Sequence, residues 1–171
     1  MLKFSADRIV SISAIVISLM TLVILVLQTT MIREQQQNSV FPYLMIGNEG
    51  YGMSDFKFVL TNNGIGPAII ESVEIAYLDS LYYMDLPSFL YENVDSMDTL
   101  NDVLHSNFYP GMLIPAEKKI NILQVDNNKS ESIALIQILQ ALELEMTVTY
   151  KSIYGQRWEL STNEGLPVSL D

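Results

Sequence analysis

The sequence predicts a mainly β protein: an N-terminal transmembrane helix followed by an antiparallel, immunoglobulin-like β-sandwich with one or two helical insertions. Three observations predict it. Residues 9–32 are 24 consecutive positions without a charge. A helix of that length reaches roughly 36 Å at about 1.5 Å per residue, enough for a hydrocarbon core of about 30 Å. Beyond it, short segments alternate apolar and polar side chains with period two, the mark of half-buried strands. Between them lie turn signals, the strongest being Asn62-Asn63-Gly64-Ile65-Gly66-Pro67, whose Asn and Gly tolerate positive φ while Pro resumes an extended path.

Residues 1–8 form a short leader and 9–32 the span. A cleaved signal peptide is the competing reading. Secretory apolar regions run about 7–15 residues and end at a small-x-small site. Here the apolar stretch 9–27 is followed by Gln28-Thr29-Thr30-Met31-Ile32-Arg33, with no such site, so an uncleaved signal anchor is predicted. With no cysteine to acylate, a lipoprotein anchor is excluded. Lys3, Arg8 and the α-amino group precede the span, whereas Arg33 follows it beside Glu34. The positive-inside rule then predicts a single-pass protein with an extracytoplasmic C-terminal domain.

Ser11, Ala14, Ser18, Thr21, Leu25 and Gln28 recur at spacings of three and four along the span. They share one helical seam, and all but Leu25 are small or polar. Close packing and hydrogen bonding against a second helix would use such a seam. The alternative is that the hydroxyls bond their own i−4 carbonyls. Residues 33–39 read as a polar tether that extends the helix by a turn or two.

Residues 40–171 form the predicted β-sandwich domain, long enough to bury a core. The chain has no cysteines, which removes disulfides and thiolate chemistry. From residue 38 onward six basic and 18 acidic side chains give −12. That charge repels nucleic acid and anionic lipid, and it excludes nucleic-acid binding.

Strands are predicted at 40–47, with Pro42 suiting an edge, at 55–61, and at 68–77. In the last, Ile69, Glu71, Val73, Ile75 and Tyr77 are the more apolar side and are expected to face the core. Residues 79–106 differ in kind. They carry six acidic side chains, no basic ones, and Tyr82, Tyr83, Phe89 and Tyr91. This acidic insertion is predicted to be part helical, with one helix opened by Pro87 and Ser88 and another over 96–104. Either it binds a partner, as insertions on sheet scaffolds often do, or it caps one end of the domain. Residues 109–116 are a loop and 117–125 a strand. Ser130 caps a helix at 131–141 with Ile133, Ala134, Ile136, Ile138 and Leu139 on one face. Residues 142–152 alternate, with Leu142, Leu144, Met146, Val148 and Tyr150 inward. Tyr154-Gly155-Gln156 turns them into 157–161, which carries Trp158 and Leu160. Residues 162–171 are a tail.

The chemistry of enzymes finds little purchase. His105 is the only histidine, and no Gly-x-Ser-x-Gly elbow accompanies it. Asp95, Asp98 and Asp102 would line up on a helix, yet they lack the glycine and bidentate glutamate of a calcium loop. A solvated acidic face is the simpler reading. Asn128-Lys129-Ser130 is a formal glycosylation sequon, relevant only in a eukaryotic secretory host. No cofactor and no metal site are implied.

The segment Leu60-Thr61-Asn62-Asn63-Gly64-Ile65-Gly66-Pro67-Ala68-Ile69-Ile70 resembles a turn in small, mostly uncharacterised bacterial single-span membrane proteins. In those, the second and third strands of an immunoglobulin-like β-sandwich flank an Asn-x-Gly-x-Gly-Pro-Ala turn. Ser39-Val40-Phe41-Pro42-Tyr43-Leu44 and Tyr150-Lys151-Ser152-Ile153-Tyr154-Gly155-Gln156-Arg157-Trp158 also look like that group. A looser similarity runs to bacterial adhesion-related modules. The resemblance implies fold and membrane attachment and carries over no catalytic residue.

The function predicted from sequence is a non-enzymatic, membrane-anchored β-sandwich that binds a protein partner. Its candidate contacts are Ser11, Ala14, Ser18, Thr21 and Gln28 on the span, for a partner helix or self-association. In the insertion they are Tyr82, Tyr83, Phe89, Tyr91, Asp95, Asp98 and Asp102. The alternatives are a small accessory subunit acting through its span and a ligand-sensing membrane effector.

Overall fold

The computed structural model describes residues 6–170. Residues 1–5 of the leader, Lys3 included, lie outside the described residues, as does Asp171. The chain divides into two compact units, 1–39 and 40–171.

The first unit is one helix, α1 (Ala6–Asn38). Asp7–Gln36 within it is long and apolar enough to cross a membrane, with mean hydropathy 2.8 over its most apolar stretch and none of it buried. The tether stays helical through Asn38 and turns at Ser39, with no proline or glycine before Pro42 to break it sooner.

The second unit holds two antiparallel sheets. The first runs in the order β1 (Leu44–Glu49), β2 (Phe56–Asn62), β7 (Lys119–Val125), β5 (Val103–His105). The second runs β10 (Val168–Ser169), β9 (Arg157–Ser161), β8 (Glu145–Lys151), β3 (Ala68–Tyr77), β4 (Ser80–Tyr82), with β6 (Leu113–Ile114) also paired to β3. Helix α2 (Leu86–Asn93), a 3-10 turn (Asp95–Thr99) and helix α3 (Lys129–Ala141) complete it. Helix and strand are nearly balanced over the whole chain, so "mainly β" describes the second unit alone.

One hydrophobic core joins both sheets: Leu44, Leu60 and Ile122 from the first, Ile75, Val148 and Leu160 from the second, all at 0 % exposure. Leu86, Phe89 and Leu90 of α2 and Met97 of the 3-10 turn lie in the same core. The acidic insertion is therefore built into the fold. Asp85 starts α2 by accepting from the Ser88 amide at 3.3 Å, with Pro87 in the first turn, as helix capping and the missing proline N–H favour.

Several expectations need correction. The first strand begins at Leu44 because 40–43 is engaged by the Asn-Gly turn. The inward face of β3 is Ala68, Ile70, Val73 and Ile75, because a β-bulge lies between Ile70 and Ser72 and the extra residue inverts the alternation. A second register shift between β2 and β7 lets Ile122 and Leu123 both be buried. The second insertion helix is only the 3-10 turn, and 103–105 is strand. Helix α3 starts earlier, capped by Asn128 accepting from Glu131 N rather than by Ser130. It buries Ser132, Leu135 and Ile136 while Ile133 is exposed, since the Ser132 hydroxyl donates to Ser54 O at 2.9 Å and sets the helix's rotation. The supposed tail contributes β10.

Candidate functional site

Along α1, Ser11 donates to Asp7 O and Thr21 to Ile17 O, both at 2.8 Å. These two hydroxyls are satisfied within their own helix, so at Ser11 and Thr21 the seam of Ser11, Ala14, Ser18, Thr21 and Gln28 offers close packing more than polar bonding. All five remain exposed.

The insertion residues divide. Phe89 is fully enclosed, with Tyr82 and Tyr77 edge-on to it at 4.9 and 5.5 Å. It is a core residue, not a surface contact. Tyr82 is half-buried. Asp95 and Asp98 lie in the 3-10 turn, but Asp102 lies outside it and accepts from Asn128 Nδ2 at 2.8 Å. The three carboxylates therefore do not share a helical face. Tyr91 packs its ring on His105 at 5.2 Å, and burial together with the Asp98 charge raises its phenol above the ordinary range. Tyr83 stands free, 74 % exposed.

Tyr83 borders a cleft of about 300 Å³ whose walls include Met84, Asn107, Tyr109 and Pro110 and whose back is Ser72 and Val73 of β3. The buried Asp85 carboxylate holds this cleft's frame. One oxygen accepts from Ser88 N and the other from Phe108 N at 3.0 Å, tying α2 to the 107–110 segment. Asn107 Nδ2 donates to Ser88 Oγ at 3.1 Å across the same junction.

Behind the cleft the second sheet has a gap. On that side of β3, residues 75–77 pair with β4 and 68–69 pair with β6. Ile70 bonds Met112 O and Gly111 N through its backbone. Among the described residues no strand covers 72–74. A backbone edge bordered by a mostly apolar cleft is a ready place for an added extended segment.

The β3–β4 hairpin beside it turns on Leu78 and Asp79. Leu78 has φ +52° and is 85 % exposed. A two-residue turn of this kind favours Asn or Gly, so a leucine here is costly for the backbone and idle for the core. Leu81 follows at 49 % exposure. Tyr109, Leu78, Leu81 and the open edge were not anticipated from sequence. The one available signal was an apolar residue between Tyr77 and Asp79 where a turn residue belongs.

The Asn-Gly turn has a structural task. Asn62 is fully buried. Its Oδ1 accepts from Tyr43 N and Gly64 N, and its Nδ2 donates to the carbonyls of Gly66, Ile114 and Pro115. Ile65 N and Gly66 N donate to Phe41 O. The turn thus clasps 40–43 and the 114–118 loop together. Glycine is required at both points of approach: a Cβ on Gly66 would lie 1.7 Å from Val40 O, and on Gly64 2.3 Å from Phe41 O.

Among the described residues no group of three or more His, Asp or Glu side chains is placed to hold a metal ion. A model for a family described as a domain of unknown function matches residues 9–164. No curated protein and no solved structure matches the chain.

Proposed function

The chain belongs to that family, DUF8453, whose model takes in the apolar helix and nearly all of the β domain, and we propose that it is a non-enzymatic, single-pass membrane-anchored module that binds a protein partner. In this reading α1 crosses the membrane as a signal anchor with the domain outside the cytoplasm. The domain is a sandwich of immunoglobulin-like type, as in the bacterial single-span proteins it resembles. The partner presents an extended segment that lies in the cleft and adds to the open edge of β3. The observation that carries the reading is the uncovered 72–74 stretch bordered by Tyr83 and Tyr109.

Backbone pairing would supply the affinity and the two tyrosines the side-chain contacts, since large rigid aromatics at a rim lose little entropy on binding. A photo-crosslinking residue at Tyr83 or Tyr109 of the full chain in its native membrane tests this. The expected result is one discrete adduct, absent when the probe sits at Ser169 and weakened by Leu81→Asp. No adduct at either tyrosine, or equal adducts at all three positions, refutes it. The exposed small-residue seam supports a second contact through the span. If Ser18→Leu with Thr21→Leu leaves helix crosslinking unchanged, that contact is wrong.

A further inference from the structure

The two ends of the β domain differ in charge. The strand registers bring five segments to one end: 40–43, the Asn-Gly turn with the start of β3, the 111–119 loop, the β8–β9 hairpin around 152–156, and Leu170, whose amide donates to Arg157 O. The clasp of Asn62 and the edge-on contact of Phe41 with Trp158 at 5.1 Å bind them together. This is the end at which the chain arrives from α1, since Val40 follows Ser39 directly.

Of the six basic side chains after residue 38, four (Lys118, Lys119, Lys151 and Arg157) belong to these segments or adjoin them, and the acidic residues there, among the described residues, are Glu71 and Glu117. Lys119 pairs with Glu49. Lys151 and Arg157 both grip Glu71, at 2.9 and 2.6 Å, and hold its carboxyl below the usual carboxylate range. Lys118 is exposed. The other end carries Asp55, Asp79, Asp102, Asp126 and Glu143 in its turns. A domain of charge −12 is repelled by an anionic surface everywhere except at its acid-poor end. That end also exposes apolar side chains: Ile65 at 68 %, Ile153 at 51 %, Leu113 at 50 % and Tyr154 at 47 %.

We infer that the Val40 end of the domain rests on the lipid surface, with Ile65, Ile153 and Tyr154 at the headgroup layer and Lys118 toward anionic headgroups. The inference rests on the reading of α1 as a membrane span. Aliphatic and tyrosine side chains flanked by lysine and arginine are the composition that partitions to this interface.

The chain lacks cysteine, so single cysteines can carry a fluorophore in the full-length protein. Ile65→Cys and Ile153→Cys report the Val40 end, Leu78→Cys the opposite end, and Ile24→Cys the helix. Each is reconstituted into phosphatidylcholine vesicles, with or without phosphatidylglycerol, containing nitroxide-labelled lipid. The expected result is quenching at 65 and 153 at least about twofold that at 78, stronger with phosphatidylglycerol, with that gain lost in Lys118→Glu. Quenching at 24 but equal, weak quenching at 65, 153 and 78 overturns the inference while leaving the membrane anchor standing. Absence of quenching at 24 overturns the anchor and the inference with it. Disulfide-linked dimers of Ile153→Cys without lipid quenching overturn it in favour of a second copy of the chain.

Discussion

Replacing Asn62 with alanine tests whether the Asn-Gly turn holds the β domain together. The side-chain amide makes five hydrogen bonds at a site with no solvent exposure. Truncation leaves the Tyr43 and Gly64 amides without an acceptor and three carbonyls with one partner fewer. A buried unpaired donor costs about 1–3 kcal/mol. Carbonyls, with a second lone pair, cost less. Two donors and three weakened acceptors together place the loss at about 3–5 kcal/mol, a large share of the roughly 5–15 kcal/mol available to a domain. Trp158 reports it well: it is the only tryptophan, 6 % exposed, and it contacts Phe41 of the clasped segment. Urea unfolding of the full chain in detergent, followed by its fluorescence, should show the midpoint fall with an unchanged slope. A loss below about 1 kcal/mol would refute the argument. Asn62→Asp sharpens it. The carboxylate keeps both acceptor bonds but turns an oxygen toward three carbonyls. That variant should regain stability as pH falls and the carboxyl protonates into a donor; a pH-independent defect would count against the geometry.

Other consequences follow from single positions. Gly66→Ala should unfold the domain at physiological temperature by circular dichroism, because its Cβ would meet Val40 O at 1.7 Å, whereas Gly47→Ala, with nothing within 4 Å, should not. Leu78→Asn should raise stability by about 0.5–1 kcal/mol by suiting the positive φ, yet weaken crosslinking through Tyr83; a gain in stability with unchanged crosslinking would show that Leu78 serves only the fold. The Tyr150 hydroxyl accepts from Leu44 N at 3.3 Å, and burial pushes it up to about 12 from 10.0. The folded chain holds that proton more tightly, so its contribution is present below pH 10 and is lost as pH rises toward 12, by about 2–3 kcal/mol. Tyr150→Phe should remove that alkaline phase from the unfolding profile.

The elements most legible in the sequence were those with local signals. Residues 68–77 and 157–161 are strands over those same limits, because alternation and flanking turns define them. The apolar helix was legible from composition alone. What sequence periodicity misread was non-local. Which face of β3 is inward depends on its pairing with β8, and nothing in Ile69-Ile70-Glu71-Ser72 announces a shift. Phe89 and Tyr83 look alike as aromatics in an acidic stretch. Only packing against Tyr77 and Tyr82 makes one core and leaves the other on the surface. Asp102 left its presumed helix because strand pairing of Val103 with Val125 outweighs a short helix without a capping residue.

The bulge links fold and site. Glu71 and Ser72 together oppose Thr149, so Ala68 and Ile70 share the core face with Val73 and Ile75 although two residues lie between the pairs. The extra residue is a glutamate, and both strands of the adjacent hairpin hold it, Lys151 from β8 and Arg157 from β9. That fixes the kink on one side of β3. On the other side a bulged strand cannot continue a regular ladder, and that is where β6 stops and β4 has not begun. The open edge at 72–74 is thus a consequence of the bulge, not a missing strand. Deleting Glu71 would return Ile70, Val73 and Ile75 to plain alternation and keep the core. If the edge captures a partner segment, that deletion should abolish capture while the domain stays folded. A deletion variant that is folded and still captures the partner would place the binding surface elsewhere.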